Sequence, residues 1–385
     1  MNAQNNPGIG HTLSSVGNTF ISRRGLLAGG VTVGALAALS ACASPFDSEP
    51  AATATNKGPG SKLTLTMFVF LGGDLAKMPK EFAKEYQKSH KNIEIKFYEQ
   101  SNSVGYGKML AQRKTDPTKP LVNLGFFNAQ TTVQGAADGM WEKLDYSGME
   151  NASDISPIFQ RQDEMGIGIG SDQYGLIYNK DAITDNPTSW AALWDPKYQG
   201  QVSFFNFPWY AVFMAAQANG GGLDNMEPGW KLWEERADQI KLIVESNPQY
   251  LNVLSSGTAP LTAYFAGTSH QWIAGGAPLE YVVPDEGALP LPVYLQSVAD
   301  QSEDELEACQ EIVDAMISPE WCTRWAETSI EIPANGKSEL PENLADIPAF
   351  QASTVENMTE IDYEIVGKNN AAWTERWNSD IVSKI

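Results

Sequence analysis

The sequence predicts an α/β protein in which helices alternate with the strands of doubly wound sheets. Residues 63–71 form an almost continuous apolar run, the pattern of a buried parallel strand. Ile93, Ile95 and Phe97 alternate with polar residues as a second strand would, and residues 75–89 between the two have the apolar spacing of a helix. Alternation of this kind continues over about a hundred residues, which indicates a doubly wound sheet.

The remaining elements continue the alternation in two blocks. In chain order we expect helix 104–114, strand 121–127, helix 131–138, strand 174–179, strand 202–205, helix 211–219, a long helix 229–245, strand 281–283 and helix 303–317. In such sheets, ligands bind beyond the carboxyl ends of the strands. The ends of the first and third strands, at residues 70–74 and 126–130, are therefore the first places to expect a site.

Composition and charge exclude several classes of function. The 385 residues carry a net charge of −21, whereas a nucleic-acid-binding surface needs a basic patch. The chain has three Cys and three His, which form no arrangement typical of a metal site, and it has no nucleophile motif such as Gly-x-Ser-x-Gly. We therefore expect no nucleic acid, no metal and no cofactor. The absence of these motifs argues against the alternative of a secreted enzyme.

The N-terminus has the layout of an export signal that ends in a lipidation site. Arg23 and Arg24 precede an apolar stretch, residues 26–41, whose 16 residues fall short of the ~20 that span a bilayer. The arginine pair resembles a twin-arginine signal, with ordinary secretory export as the alternative. The stretch ends in Leu-Ser-Ala before Cys42, the pattern of an acylated bacterial lipoprotein. Residues 1–41 are thus the predicted signal, and residues 42–61 the acylated Cys and a flexible tether.

Three segments of the body carry a resemblance to a known family. Residues 186–202 read NPTSWAALWDPKYQGQV, residues 278–287 read PLEYVVPDEG and residues 318–320 read SPE. With these strings the chain resembles the extracellular solute-binding proteins of ABC importers, in the group of the spermidine/putrescine receptors. The resemblance implies a type II periplasmic-binding fold, with two doubly wound α/β lobes joined by a two-crossing hinge. Lobe 1 would comprise residues 62–170 and 285–335, and lobe 2 residues 171–284 and 336–385.

The resemblance also implies partners and a location. We expect a monomer that binds a small-molecule ligand and delivers it to a complex of ABC permease and ATPase. The export signal and the acylated Cys42 suit this role, because an importer needs its receptor held near the membrane. The protein is accordingly expected in the periplasm or at the outer face of the cell membrane, attached through its lipid anchor.

The predicted ligand site is an aromatic cleft between the lobes that contains few charges. Its candidate residues come from strand ends and the loops after them: Phe70, Leu71, Asp74, Asn128, Gln130, Asp172, Trp209, Tyr210 and Phe265. Aromatic faces attract organic cations, and Asp74 and Asp172 are the acids expected to supply the countercharge. Each acid has an alternative role, since Asp74 could cap the helix that follows it and Asp172 could be a turn residue.

The ligand class is where the chain departs from the polyamine receptors that it resembles. In those relatives an acidic cluster follows the strand that here spans 203–205, but residues 206–213 contain no acid. Residues 289–294 likewise replace a further Trp-x-Asp pair. A long diamine could not be held at both ends, so we expect a compact organic cation or amine of the polyamine-like class. The alternatives are an amino acid or phosphonate-like anion bound by backbone N–H groups and, less favoured because the sequence has no Tyr-Tyr pair, ferric iron.

Cys309 and Cys322 lie 13 residues apart in two consecutive predicted helices. An exported protein permits a disulfide between them. Two buried free thiols are the alternative, and neither outcome bears on the ligand.

Overall fold

The computed structural model describes residues 62–71, 74–206 and 208–385. The predicted signal, Cys42 and the tether lie outside these residues. Within the described ranges, no helix combines the length and the apolar character that a membrane crossing requires.

Strands and helices alternate along the described chain. The strands are β1 (Leu63–Phe70), β2 (Ile93–Gln100), β3 (Leu124–Asn128), β4 (Trp141–Glu142), β5 (Ile167–Asn179), β6 (Val202–Phe205), β7 (Ile240–Val244), β8 (Leu261–Phe265), β9 (Leu279–Val282), β10 (Leu289–Val298) and β11 (Ile332–Pro333). The α-helices are α1 (Lys77–Ser89), α2 (Asn102–Thr115), α3 (Ala129–Ala137), α4 (Pro208–Ala218), α5 (Glu227–Glu235), α6 (Asn247–Ser255), α7 (Ala266–Ala274), α8 (Glu303–Met316), α9 (Pro319–Ser329), α10 (Ala352–Glu356) and α11 (Tyr363–Asp380).

The strands of the described residues form one sheet of eleven strands. Eight of them follow the order β2-β1-β3-β10-β5-β8-β6-β7, and β4, β9 and β11 pair beside this path. At one end β1 is parallel to β2 and β3, and at the other β6 is parallel to β7 and β8. Between these ends, β10 and β5 are antiparallel to each other and to their outer neighbours. Two parallel α/β parts joined by two crossing strands are the arrangement that the sequence predicts.

The strand β5 exchanges its partners on both edges near its middle. On one edge it pairs with β10 from Ile167 to Tyr174 and then with β9 from Leu176 onward. On the other edge it pairs with β11 at residues 170–171 and with β8 from residue 174 onward. On this second edge residues 172 and 173 lie in a short gap of the ladder, where backbone groups are open to side chains from other elements, while on the first edge they remain paired with Leu291 and Pro290 of β10.

Two large clusters of buried side chains stabilise the two ends of the sheet. One surrounds β6, β8 and α4 and contains Trp209, Trp230, Trp233 and Trp377. The other surrounds β1, α1, α8 and α9. Burial of each large apolar side chain contributes roughly 1.5–3 kcal/mol, so each end has a core of its own. The lobe boundaries given above remain predictions.

The long helix predicted over residues 229–245 is wrong. The structure ends α5 at Glu235 with Arg236 as the C-cap, and residues 240–244 form β7 instead. Ile240, Ile243 and Val244 are β-branched, and such side chains favour a strand over a helix. Pairing with β6 buries Ile240 and Val244, and this tertiary contact outweighs the helical spacing upstream.

The strand β5 is longer than the strand predicted at residues 174–179, because it begins at Ile167 and includes two glycines before that range. A Cβ on Gly168 would lie 2.7 Å from Phe159 Cβ, and one on Gly170 would lie 2.6 Å from Trp325 Cδ1. The elements that cover β5 therefore approach it more closely than a larger residue would allow.

Cys309 and Cys322 are free thiols in the structure, so of the two alternatives the disulfide is not the one adopted. Cys309 Sγ lies 3.7 Å from the carbonyl oxygen of Asn123, whereas the Cys322 thiol contacts the backbone at residues 334–335. The two sulfur atoms thus have different neighbours. Burial raises the pKa of each thiol to about 12, which makes both inert at neutral pH.

Candidate functional site

One cavity lies beside the crossing strands and receives side chains from both ends of the sheet. Its volume is about 370 Å³, which lies within the range of small-molecule sites. Its walls come from the ends of β1, β3 and β8, from the middle of β5 and β10, and from the starts of α2, α3, α4 and α11. None of the described residues that line it carries a positive charge.

Aromatic rings form one wall of the cavity. Trp209 and Tyr210 begin α4, and their rings stack with centroids 3.7 Å apart. Tyr210 also stacks on Tyr174 of β5 at 4.4 Å, and Phe265 at the end of β8 meets Tyr174 edge-on at 5.3 Å. Pro208 occupies the first position of α4, where its fixed backbone angle suits a helix start. Because the rings pack against one another, the wall is formed before any ligand arrives.

Asp172 lies in the ladder gap of β5, close to the first turn of α7. Its Oδ1 accepts hydrogen bonds from the backbone N–H groups of Gln173 at 2.7 Å and Gly267 at 3.1 Å. Burial raises the pKa of the Asp172 carboxyl to about 6, although the bond from Gly267 favours the charged form. The dipoles of a helix start thus support this carboxylate, and no cation among the described residues is paired with it.

Glu331 is the acid that the sequence analysis missed. The residue is 8% exposed and comes directly before β11, and the register that pairs Ile332 with Ser171 places it opposite Asp172. Its Oε2 accepts a hydrogen bond from Trp325 Nε1 at 2.7 Å. Burial, and next the negative charge of Asp172, raise the pKa of Glu331 to about 8. The cavity therefore contains two carboxyl groups, and they are close enough for the charge of Asp172 to act on Glu331.

Trp209 offers a hydrogen-bond donor that the described protein groups do not use. Its side chain is 1% exposed, and Nε1 has no acceptor among the described residues. Buried indole N–H groups usually have a partner, so this donor is available to an acceptor atom of a ligand. By contrast, the neighbouring Tyr363 hydroxyl is occupied, because it donates to the carbonyl oxygen of Pro290.

Neutral amide groups supply the other polar atoms of the cavity. Asn128 ends β3 and caps α3, because its Oδ1 accepts a hydrogen bond from the Thr131 N–H at 2.9 Å. Asn102 Nδ2 lies 3.4 Å from the same oxygen, and Gln130 follows in the first turn of α3. These groups can donate and accept but carry no charge. In the described part of the chain, no group of three or more His, Cys, Asp or Glu could hold a metal ion.

The structure brings together seven of the nine residues predicted for the ligand site. They are Phe70, Asn128, Gln130, Asp172, Trp209, Tyr210 and Phe265. Leu71 and Asp74 are exposed and do not line the cavity, and Leu71 is 58% exposed. Successive residues of a strand point to opposite faces, so the direction that turns Phe70 toward the cavity turns Leu71 away from it.

The cavity also contains residues that the sequence analysis did not select. They are Asn102, Ala129, Leu291, Pro292, Val293, Glu331 and Tyr363. A signal was present for Glu331, because it is a lone acid between Ile330 and Ile332 in a segment that ends in Pro333. No comparable pattern marks Tyr363, which begins α11 nearly two hundred residues after Asp172 and reaches the cavity only through the tertiary fold.

Comparison with known proteins supplies a family and a set of related folds. The family described as bacterial extracellular solute-binding protein matches residues 81–352. Among solved structures, an ABC transporter from Clostridium perfringens is 20% identical with a TM-score of 0.71, and the match covers 82% of this chain and 99% of that one. The spermidine/putrescine ABC transporter substrate-binding protein PotD from Streptococcus pneumoniae is 17% identical with a TM-score of 0.67, over 83% and 99% of the two chains.

A third structural relative was solved with a different ligand. The periplasmic binding protein AfuA from Actinobacillus pleuropneumoniae, with fructose-6-phosphate bound, is 16% identical with a TM-score of 0.60, over 83% of this chain and 98% of that one. The sequence matches no curated protein.

These likenesses confirm the predicted type II periplasmic-binding fold. The family match agrees with the prediction of a binding protein, because the matched family is one of solute-binding proteins. The family match covers well over half of the chain, and its members act outside the cytoplasm. The chain therefore belongs to the bacterial extracellular solute-binding proteins.

Proposed function

We propose that this protein captures a small organic cation or amine in the aromatic cavity and delivers it to the permease of its importer. The observation that carries the proposal is the pair of carboxyl groups of Asp172 and Glu331 in a cavity whose described lining has no basic side chain. A buried charge needs a partner of opposite sign, and here the protein provides only the negative partners.

The physical chemistry of the walls supports the same class of ligand. A cation over an aromatic face gains ~0.5–2 kcal/mol, with the larger values in desolvated sites. Phe265 and Trp209 line the same cavity as Asp172 and can present their rings to such a cation. An anion would instead lie against two acids without a positive partner in the described lining, which opposes its entry. One structural relative is named for spermidine and putrescine, and another holds a sugar phosphate. The relatives therefore do not point to one ligand class, whereas the residues of this cavity do.

An amino acid is the second candidate, and one observation favours it. The unpartnered Nε1 of Trp209 and the amide groups of Asn128 and Gln130 could hold a carboxylate while the two acids hold the ammonium group. A zwitterion would satisfy both sets of groups at once. A simple cation has no carboxylate to accept a hydrogen bond from Trp209 Nε1. That bond would go to the hydroxyl group of choline or, with putrescine, to a water molecule.

A ligand screen on the purified chain tests the proposal. Thermal shift followed by titration calorimetry would compare putrescine, spermidine, choline, glycine betaine, neutral amino acids, 2-aminoethylphosphonate and ferric citrate, because a ligand that binds the folded state raises the unfolding temperature. We expect the organic cations to bind, and Asp172→Asn to weaken them at least tenfold. The exposed substitution Glu342→Gln serves as the control and should leave binding unchanged. Binding restricted to anions or to iron would refute the proposed ligand class.

We further propose that the protein is exported and held at the membrane by acylated Cys42. The support is the sequence of the signal, with Arg23 and Arg24 before the apolar stretch and Leu-Ser-Ala before the Cys. Two or more acyl chains suffice for stable anchoring. In a native host, Cys42→Ala should move the protein from the membrane fraction to the soluble extracytoplasmic fraction. Mass spectrometry of the N-terminal peptide should show the lipid on wild type, and an unmodified Cys42 would contradict the proposal.

A further inference from the structure

Asp172 and Glu331 are close neighbours on two paired strands. Ile332 of β11 pairs with Ser171 of β5, and Pro333 pairs with Gly170. Continuing this antiparallel register by one residue places Glu331 directly opposite Asp172, just where the ladder opens toward the cavity. Both carboxyl groups line that cavity. Side chains that face each other in this way across antiparallel strands have Cβ atoms about 5 Å apart.

The protein satisfies these carboxyl groups with neutral donors. Asp172 Oδ1 accepts from two backbone N–H groups, at residues 173 and 267, and Glu331 Oε2 accepts from the indole of Trp325. Glu331 Oε1 has no hydrogen-bond donor among the described residues. Neither acid takes part in an ion pair with a described Lys, Arg or His. The nearest arginine on α9, Arg324, is paired with Glu320 and Glu85.

The other titratable groups around the pair do not compensate its charge. The phenols that surround it from β5, α4, β8, β9 and α11 belong to Tyr174, Tyr210, Tyr264, Tyr281 and Tyr363, and burial raises the pKa of each. They are therefore neutral at pH 7. On α7, burial lowers the pKa of His270 to about 4, so this imidazole is neutral as well. The described surroundings thus contribute no positive charge at neutral pH.

Two buried carboxylates without a counter-ion repel each other and are both poorly solvated, so such a pair retains one proton. We propose that, given the cation-binding function above, Asp172 and Glu331 form a proton-exchanging cation site: the empty pair holds one proton, and the cationic head group of the ligand replaces it. The O–H bond of the protonated carboxyl breaks, and the proton passes to a water or buffer molecule. The ligand keeps its own protons. The net charge of the site is −1 before and after the exchange, which avoids the cost of a second uncompensated charge.

The surroundings assign the proton to Glu331. The Asp172 carboxylate is supported by the first turn of α7, whereas Glu331 has a single neutral donor. The raised pKa values agree with this order, because that of Glu331 is about 8 and that of Asp172 is about 6. At neutral pH the empty site therefore contains an ionised Asp172 and a protonated Glu331.

The exchange has two consequences for binding. First, as the pH increases, the affinity for a cation should rise about tenfold per pH unit until the pH reaches the pKa of Glu331, and it should stay constant above that pH. The reason is that each bound cation removes one proton. Second, the site selects a ligand with one charged head group. The remaining polar side chains of the cavity, Asn102, Asn128 and Gln130, are neutral amides that cannot replace the water around a second ammonium group as carboxylates would.

Calorimetric titration of the purified full chain tests the exchange. Choline is the probe, because it has a single charged head group and its quaternary nitrogen carries no transferable proton. Titrations at pH 7 in two buffers with different ionisation enthalpies give the number of protons released per ligand. We expect a value close to one, and a dissociation constant that falls about tenfold between pH 6 and pH 7.

Matched variants separate the possible outcomes. Glu331→Gln should still bind the cation through Asp172 but release close to zero protons, and Glu342→Gln should behave like wild type. Cation binding by wild type without proton release would overturn this inference and leave the proposed function intact. Undiminished release from Glu331→Gln would overturn the assignment of the proton to Glu331. Failure of every organic cation in the screen to bind would overturn the proposed function, and the inference with it.

Discussion

Replacing Glu331 with glutamine should remove a large pH dependence from the stability of the ligand-free protein. The folded protein holds the Glu331 proton more tightly than the unfolded chain, because the pKa rises from an ordinary value of 4.5 to about 8. Stability from this proton is fully present below about pH 4.5 and is lost as the pH rises through about 8. Each tenfold change in proton affinity corresponds to about 1.4 kcal/mol, so the loss is on the order of 5 kcal/mol.

The assay is urea unfolding followed by tryptophan fluorescence at about pH 5 and about pH 8.5, without ligand. The glutamine side chain would keep an oxygen for the indole of Trp325 but cannot titrate. We therefore expect Glu331→Gln to match wild type within about 1 kcal/mol at the lower pH and to be more stable by several kcal/mol at the higher one. Glu342→Gln, which removes an exposed acid, should follow wild type at both. A difference between Glu331→Gln and wild type that is the same at both pH values would refute the buried, protonated carboxyl.

Three other predictions concern the aromatic wall, the crossing strand and the thiols. Phe265→Ala should weaken cation binding roughly 2- to 30-fold in calorimetry, the range expected for one cation–π contact. An unchanged affinity would show that Phe265 does not contact the ligand. Gly170→Ala should destabilise the protein by about 1–3 kcal/mol in urea unfolding, because its Cβ would lie 2.6 Å from Trp325 Cδ1; a change under about 0.5 kcal/mol would show that the close approach is not there. Cys309 and Cys322 should react with a thiol reagent only as the protein unfolds, because both are fully buried; fast labelling in native buffer would contradict their burial.

Much of the site could be predicted because parallel strands end at the same edge of a sheet. That rule selected Phe70 and Asn128, whereas Phe265 was selected because the resembling family places a Trp at its position, and the structure brings the three together. The rule does not give side-chain direction, and two of the predicted residues, Leu71 and Asp74, lie outside the cavity. Leu71 follows Phe70 by one position and so faces away, a difference that depends on the pleat of β1 and not on residue type.

The rest of the site depends on contacts that a local pattern does not contain. Glu331 enters the cavity because the two-residue strand β11 pairs with β5, and a strand of that length has no periodicity to detect. The helix predicted across residues 229–245 failed for a related reason. The apolar spacing of α5 is continued by the residues of β7, and only pairing with β6 decides that those residues form a strand.

The exchanges of partners along β5, between residues 171 and 174 on one edge and between 174 and 176 on the other, lie beside Asp172. If one end of the sheet rotates against the other, the bending is concentrated where β5 leaves β11 for β8 and β10 for β9. Atoms near such an axis hardly move, whereas Asn128 and Gln130, which lie at the end of β3 two strands away, move farther. Asp172 would then bind the charged group of a ligand while the protein is still open. The amides of Asn128 and Gln130 would contact the rest of the ligand only as the protein closes. Capture and discrimination would thus be separated in time within a single movement.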